Sequence, residues 1–187
     1  MRSHFNRDQV EAVSARSEAE TKPLVLVGFM ASGKSTVGML LADRLAVPFV
    51  DTDAVIVKRF GMSIAEIFRD QGEVAFRSAE RELILGLLSG EPRIIAVGGG
   101  AFVDPITRAA LATSAYTIWL DPPFKTIQHR LEQCSDRPIA ANSSAKRLRN
   151  LWTRRRPFYA EANLHIKNAQ NDPTLTIVEI IEALERL

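Results

Sequence analysis

Phosphate chemistry is indicated first by the stretch GFMASGKSTVG at residues 28–38. It matches the pattern G-x-x-x-x-G-K-[ST], in which backbone N–H groups and the start of a helix surround an anion. In such a loop Lys34 would reach the β- and γ-phosphates of a nucleotide, and the Ser35 hydroxyl would bind Mg²⁺. A chance match in a glycine-containing turn is the alternative, but an apolar run precedes the loop and helical spacing follows it. The sequence therefore predicts a nucleoside triphosphate site.

Two carboxylates follow the next apolar run, in the stretch FVDTD that ends at Asp53. The alternation of a strand would put Asp51 and Asp53 on the same side, at the sheet edge where the phosphate loop also lies. One acid can hold Mg²⁺ through water, and the other can accept hydrogen bonds from a substrate hydroxyl. The sequence leaves open a second reading, in which Asp53 only caps a helix over residues 54–60.

An arginine with a carboxylate one helical turn away lies in the stretch GEVAFRSAE at residues 72–80. At this spacing Glu80 can orient the guanidinium of Arg77 toward a ligand. The alternative is a surface ion pair, which is common and contributes little to stability.

Three consecutive glycines, Gly98, Gly99 and Gly100, follow the apolar run at residues 94–97. Bare backbone at a strand end lets a flat ligand lie against N–H groups. A floppy turn is the alternative, and it is less compatible with the defined start that a following helix needs.

Arginines are concentrated late in the chain, at Arg130, in the DRP stretch that contains Arg137, and in RRRPFY at residues 154–159. Residues 135–144 contain Pro, Ala, Asn and Ser, and predict a mobile flap whose arginine can swing onto a γ-phosphate. The basic cluster at residues 146–156 is typical of a solvated helix face, although it can also bind phosphates or carboxylates.

The elements that must position these residues follow a β–α–β pattern. Helical patterns separate most of the short apolar runs, which predicts an α/β fold with three layers: a parallel five-stranded sheet with helices on both faces. A last helix follows Pro173, with Ile177 and Ile180 on its apolar stripe. The predicted strands are residues 24–27, 47–50, 94–97, 116–120 and 164–166.

Composition supports one soluble domain. The 187 residues are 46% hydrophobic and 25% charged, and no apolar run approaches the roughly 18 residues of a membrane span. The single cysteine cannot form an internal disulfide, which fits a reducing cytoplasm, and a formal charge of +2 is too small to imply nucleic-acid binding. We expect residues 1–22 to be a mobile or loosely helical extension and residues 23–187 to form a single domain.

Taken together, these motifs resemble the shikimate kinase family. GFMxSGKSTVG, FVDTD, GExxFRxxE, GGG, DRP and RRPFY occur in the family's order and spacing, from about residue 23 to the C-terminus. Single motifs are shared with other kinases, but the combination of DTD, FRxxE and GGG is specific. The resemblance implies that residues 23–187 form a single P-loop kinase domain of the nucleoside-monophosphate-kinase type, with a substrate-binding helical region and a mobile lid at about 134–145.

The resemblance also implies roles for individual residues. Lys34, Asp53 and Arg137 would be catalytic, and Ser35 would bind Mg²⁺ with Asp51 helping through water. The expected nucleotide-binding set is Gly28, Ala31, Ser32, Gly33, Lys34, Ser35, Thr36, Arg130 and Arg137, with Arg130 packing on adenine. The expected substrate-binding set is Asp53, Arg77, Gly98, Gly99, Gly100 and Arg155, in which the two arginines hold a carboxylate.

The implied activity is phosphorylation of shikimate by ATP to give shikimate 3-phosphate and ADP, in aromatic amino-acid biosynthesis. It implies one Mg²⁺ per subunit and a cytoplasmic monomer that acts on small molecules, without nucleic-acid or membrane partners.

Two departures from the family pattern, at Ala31 and in the lid, and one choice of register bear on these expectations. Ala31 stands where the family usually has glycine, and a turn that needs positive φ there would be disfavoured. The lid sequence RPIAA, which begins at Arg137, lacks the usual leucines. Among the three consecutive arginines at residues 154–156, Arg155 is chosen by its spacing from Pro157 and Tyr159.

Three other functions remain open from the sequence. A gluconate kinase would share the phosphate loop, although the GGG and FRxxE stretches argue against it. A nucleic-acid or regulatory ATP-binding module would use residues 146–156 and bind with a steep salt dependence. A degenerate paralogue that folds but turns over slowly would have Ala31 as its cause.

Overall fold

The structure, a computed structural model, describes residues 22–133, 145–167 and 172–186. All but the last residue of the predicted N-terminal extension lies outside the described residues. So does almost all of the predicted lid, including Arg137.

The described chain contains a five-stranded sheet in which every neighbouring pair of strands is parallel, as predicted. Its spatial order is β2-β3-β1-β4-β5. Leu26 of the central strand lies opposite Ala96 on one side and Ile118 on the other. The strands are β1 (Leu24–Val27), β2 (Phe49–Asp51), β3 (Ile94–Ala96), β4 (Tyr116–Leu120) and β5 (Leu164–Ile166).

Helices connect these strands, and a short 3₁₀ turn (Ala101–Val103) follows β3. None of the helices in the described ranges combines the length and apolar character needed to cross a membrane. The helices are α1 (Lys34–Leu45), α2 (Thr52–Phe60), α3 (Ile64–Asp70), α4 (Gly72–Leu87), α5 (Pro105–Ser114), α6 (Phe124–Glu132), α7 (Ala145–Tyr159) and α8 (Pro173–Leu184).

The sheet has a separate apolar core on each face, which confirms the predicted three layers. Val25 and Val27 of β1 point into one core, where they pack with residues of α4, α5, α6 and α7. Leu26 points into the other core, which is closed by α1 and α8. Because strand side chains alternate between faces, a strand buried on both faces needs apolar residues at consecutive positions. This is why the strands appear in the sequence as short hydrophobic runs.

Two boundaries near residue 50 differ from the prediction. β2 begins at Phe49 rather than at residue 47, because Val47 still donates its N–H to Ala42 O at the end of α1. The next helix begins at Thr52, because the Asp51 carboxylate accepts hydrogen bonds from the N–H groups of Asp53 and Ala54. The prediction that Asp51 and Asp53 share one side of a strand was therefore wrong for Asp53, which lies in the first turn of α2. The capping alternative was also wrong in its residue, since Asp51 is the cap.

Candidate active site

The phosphate loop connects β1 to α1 and is shaped by two glycines. Gly28 has φ 140°, and a Cβ added there would lie 2.6 Å from the carbonyl oxygen of Leu120, so only glycine fits. Gly33 has φ 100° and is the N-cap of α1. Lys34 follows it, and its buried ammonium donates to the carbonyls of Gly28 at 3.1 Å and Phe29 at 2.9 Å. The loop thus places a cation and a helix N-terminus together, which is the arrangement that binds phosphate.

Ala31 adopts the left-handed conformation that a glycine would take at this position, with φ 58°. The methyl group therefore does not prevent the turn, but it makes the turn more costly in conformational energy. Arg130 of α6 donates to the carbonyl oxygen of Ala31 at 3.0 Å, and burial lowers the pKa of its guanidinium. The other loop positions differ in exposure, since Ser32 is fully buried and Thr36 is exposed on the first turn of α1.

A hydroxyl and a carboxylate meet where α1 begins and β2 ends. Ser35 Oγ donates to Asp51 Oδ2 at 2.5 Å, while Asp51 Oδ1 caps α2. Within the described ranges there is no group of three or more His, Cys, Asp or Glu side chains that could hold a metal. One hydroxyl and one carboxylate, both hard oxygen donors, suit Mg²⁺, which usually keeps several waters and phosphate oxygens as its other ligands.

A cavity of about 440 Å³ lies beside Asp53, at the carboxyl ends of β2 and β3. Charged groups and glycine backbone form one end of it, and Met30 brings the phosphate loop to its wall. The rest of the wall is mostly apolar and comes from α2, α3 and α4. The residues that supply this apolar wall are Val57, Ile64, Ala65, Phe68 and Phe76.

Arg77 and Glu80 of α4 form an ion pair inside this cavity and not on the surface. Arg77 Nη1 donates to Glu80 Oε2 at 2.5 Å, and only 3% of the Glu80 side chain is exposed. Burial raises the pKa of Glu80 and outweighs the opposing effect of Arg77, and the nearby Asp53 charge adds to the rise. Burial works against the charge of Arg77, but Glu80 and Glu73 together outweigh it, so the pKa of Arg77 lies above its usual value. The guanidinium is therefore charged and held in place.

None of the three glycines at residues 98–100 has positive φ, so close contacts rather than backbone conformation explain why side chains are absent at Gly98 and Gly100. A Cβ on Gly98 would collide with the carboxylates of Glu80 and Asp53. A Cβ on Gly100 would lie 2.5 Å from Arg77 Nη2. The backbone of these glycines, which the sequence predicted to lie against a ligand, is thus in contact with the charged side chains of the cavity.

Of the three consecutive arginines in α7, Arg155 is the one that lines the cavity. Its Nη1 donates to the carbonyl oxygen of Gly99 at 3.1 Å, and its guanidinium lies 5.8 Å from the Phe29 ring centroid. Arg154 is exposed, and Arg156 turns toward Asp121 at the end of β4. The structure thus brings Asp53, Arg77 and Arg155 together at one end of the cavity.

Two residues of this region, Tyr159 and Thr52, belong to the sequence motifs, but the sequence analysis predicted no functional role for them. The hydroxyl of Tyr159 donates to the same Gly99 carbonyl, and burial raises the pKa of Tyr159 to about 12. Thr52 Oγ1 accepts from Gly98 N and donates to Ala96 O, both at 3.3 Å, which ties α2 to the end of β3. Their positions inside RRPFY and DTD were the available signal.

Comparison with known proteins places this geometry in one family. The family model for shikimate kinase matches residues 30–185. A shikimate kinase of Bradyrhizobium diazoefficiens is 40% identical over 178 residues, which cover 95% of this chain and 83% of that protein. A shikimate kinase of Brucella canis is 38% identical over 165 residues, which cover 88% of this chain and 82% of that protein.

A solved structure agrees with the sequence relatives. The shikimate kinase of Acinetobacter baumannii in complex with shikimate superposes with a TM-score of 0.85 at 29% identity, covering 95% of this chain and 97% of that one. The chain belongs to the shikimate kinase family.

Proposed function

We propose that this protein transfers the γ-phosphoryl group of ATP to the 3-hydroxyl of shikimate, giving shikimate 3-phosphate and ADP in aromatic amino-acid biosynthesis. The observation that carries the proposal is the convergence of Arg77 and Arg155 on the glycines at residues 98–100, beside Asp53 and next to the phosphate loop. A small hydroxylated ring that bears a carboxylate needs cationic forks at one end and a hydrogen-bond acceptor for its hydroxyls. The cavity supplies both.

Arg77 and Arg155 hold the substrate carboxylate in this proposal. Guanidinium forks pair with carboxylates through two parallel hydrogen bonds, which gives orientation as well as affinity. The Glu80 carboxylate holds the guanidinium of Arg77 through a hydrogen bond, and the Gly99 carbonyl holds that of Arg155 in the same way. Both guanidiniums are therefore positioned by groups of the protein before substrate arrives, which lowers the entropy cost of binding.

Asp53 orients the hydroxyl that attacks and accepts its proton. As the hydroxyl oxygen forms a bond to the γ-phosphorus, the bond from that phosphorus to the β–γ bridging oxygen breaks, and ADP leaves. Most of the catalytic effect in such transfers comes from positioning and from stabilising charge on the transferred group. Lys34 lies on the nucleotide side of the site and supplies positive charge there, and we assign the same role to Arg137.

Ser35 and Asp51 are the residues that would hold Mg²⁺, the Asp51 carboxylate through water. A Mg²⁺ ion held by these two residues would supply positive charge to offset the negative charge that develops on the transferred phosphoryl group. Asp51 also caps α2, so the same carboxylate connects the metal site to the helix that carries Asp53.

Membership of the family argues against a gluconate kinase, and the cavity argues against a nucleic-acid or regulatory module, in which Asp53, Arg77 and Arg155 would have no role. An assay of ADP release with shikimate, gluconate and nucleoside monophosphates offered in parallel tests the proposal. We expect turnover with shikimate alone, and the phosphorus NMR spectrum of the product should show one new monoester at the 3-position. Faster turnover with either of the other substrates would replace the proposed reaction.

A further inference from the structure

A second ionic cluster lies at the carboxyl ends of β4 and β5, on the other side of β1 from the cavity. Its centre is Asp121, whose side chain is only 6% exposed. Asp121 Oδ1 accepts from Arg156 Nη1 at 2.6 Å, and Asp121 Oδ2 lies 3.0 Å from Nε2 of His165. Arg156 belongs to α7, so this ion pair fastens that helix to the sheet.

Aromatic rings enclose the same arginine. The guanidinium carbon of Arg156 lies 5.0 Å from the Trp119 ring centroid and 4.6 Å from that of Trp152. His165 stacks on Trp119, with centroids 4.0 Å apart and planes within 10°. A guanidinium held by a buried carboxylate and by two rings has little rotational freedom, and lysine could not reproduce the planar contacts.

Arg155 and Arg156 are neighbours on one helix but reach different strands. Side chains of consecutive helical residues point about 100° apart, so a helix that fixes one of them in space also sets the direction of the other. Arg156 reaches the end of β4, and Arg155 reaches Gly99 after β3. Pro157 lies inside α7 directly after this pair. Because proline has no N–H to donate, this turn lacks one backbone hydrogen bond of the helix, and side-chain contacts contribute more to its position.

We propose that Arg156 is a positioning residue for the substrate site. Through Asp121 and Trp119, which belong to β4 and its end, it sets the rotation of α7 that brings Arg155 to the Gly99 carbonyl and into the cavity. The inference rests on the proposed function, in which Arg155 holds the substrate carboxylate.

A double-mutant cycle separates positioning from simple stabilisation. We would compare Arg156→Ala, Arg155→Ala and the double variant by their KM values for shikimate and ATP, and by their Tm values. Arg156→Ala should raise the shikimate KM by roughly two- to tenfold, as expected for coupled neighbours, and should change the ATP KM by less than about twofold. In the Arg155→Ala background, Arg156→Ala should lower Tm as before but leave the shikimate KM unchanged.

Arg154→Ala is the matched control, since it removes an exposed arginine from the same turn of α7 and should alter neither KM. If Arg156→Ala is too unstable to assay, Arg156→Lys replaces it, and the same cycle should give a smaller rise in the shikimate KM that again disappears in the Arg155→Ala background.

Equal rises in KM in both backgrounds, or none in either, would overturn the positioning role while leaving the carboxylate clamp intact. If Arg155→Ala itself leaves the shikimate KM unchanged, the clamp of the proposed function fails, and the positioning role fails with it. The two failures are thus distinguished by the single variant.

Discussion

Arg77 Nη1 and Glu80 Oε2 lie 2.5 Å apart within one turn of α4, and the two ends of this pair differ sharply in environment. The Arg77 side chain is 26% exposed and lines the cavity, whereas the Glu80 side chain is buried, with only 3% exposed. The second carboxylate oxygen of Glu80 has no hydrogen-bond partner in the described part of the chain. The burial cost of Glu80 is therefore offset mainly by Arg77, and the orientation of Arg77 depends on Glu80 in return.

Glu80→Gln should raise the KM for shikimate about tenfold and leave the KM for ATP nearly unchanged. The amide keeps the shape of the side chain but loses the charge-assisted bond that holds Arg77, and such bonds contribute about 1.5–3 kcal/mol. Steady-state kinetics with each substrate varied in turn measures both values. Glu73→Gln is the matched control, because Glu73 also contacts Arg77, at 3.4 Å, but its side chain is 67% exposed. Equal effects of the two variants would mean that the buried pair has no special role.

Lys34→Ala and Asp53→Asn should both abolish phosphoryl transfer, for different reasons. Loss of Lys34 removes positive charge from the nucleotide phosphates, so nucleotide affinity or turnover should drop. Loss of the Asp53 charge should leave ATP binding largely intact while turnover of shikimate collapses, because the attacking hydroxyl loses its acceptor. Calorimetric titration of each variant with ATP separates the two effects. Normal shikimate turnover in Asp53→Asn would contradict the role given to this carboxylate.

The sheet was predictable because each predicted strand is a short apolar run followed by a glycine or a charged residue, and β1, β4 and β5 agree with their predictions at both ends. The start of α2 was not predictable from periodicity, since it depends on which of two neighbouring aspartates turns its carboxylate toward the helix N–H groups. Asp51 does so, and Asp53 then lies in the first turn of the helix. A side-chain hydrogen bond thus decided a boundary that hydrophobic pattern alone left open.

The charged residues of the cavity were predictable by motif, whereas their supports were not. Arg77 and Glu80 are close in sequence, so helical spacing predicts their contact. Tyr159 and Gly99 are 60 residues apart, and Arg156 and Asp121 are 35 apart. Such contacts depend on where α7 packs on the sheet, and nothing in the local sequence specifies that packing.

Asp104→Asn should destabilise the protein at neutral pH by about 1 kcal/mol, and the difference should shrink in acid. Burial works against the ionised carboxylate, but hydrogen bonds from Arg81 and Thr107 outweigh it and lower the pKa of Asp104 from 3.8 to about 2. A depressed native pKa stabilises the fold above the unfolded value, and that stability is lost as pH falls from about 3.8 toward 2. Asparagine can still cap α5, so the substitution tests the charge.

Urea unfolding of Asp104→Asn and of the unsubstituted protein at pH 7, 5 and 3 measures this difference. The gap should be the same at pH 7 and 5 and narrower at pH 3. A gap that is unchanged at pH 3 would contradict the assigned pKa shift.

Ala31→Gly should raise Tm without improving catalysis. Ala31 already has φ 58°, so glycine relieves a strain of about 1–2 kcal/mol, partly offset by the greater freedom of glycine in the unfolded chain. A net gain of up to about 1 kcal/mol corresponds to roughly 2–4 °C in a chain of this length. Ala46→Gly is the matched control, because Ala46 has φ 54° at the end of α1, away from the phosphate loop. Both variants should gain similar stability and keep the same kcat. A large increase in kcat for Ala31→Gly alone would instead support a kinase slowed by its loop.

Arg77→Ala and Arg155→Ala should each weaken shikimate binding by roughly ten- to a hundredfold, with ATP affinity little changed. Each removes charge-assisted hydrogen bonds of about 1.5–3 kcal/mol from one partly desolvated carboxylate. Replacement of either by lysine should also fail substantially, because a point charge cannot replace the planar fork. Since both act on one group, their double-mutant cycle should be non-additive. Calorimetric titration with shikimate measures each affinity.

A shikimate analogue without the carboxylate provides the control for this clamp. It should bind weakly to the unsubstituted protein, and neither substitution should change its affinity much, because the carboxylate that the arginines bind is absent. If the neutral analogue loses as much affinity as shikimate does, the two arginines shape the cavity rather than recognise the carboxylate. If Arg154→Ala weakens shikimate binding and Arg155→Ala does not, a carboxylate clamp exists but its second arginine is Arg154. That result would contradict the role inferred from the contact between Arg155 and Gly99.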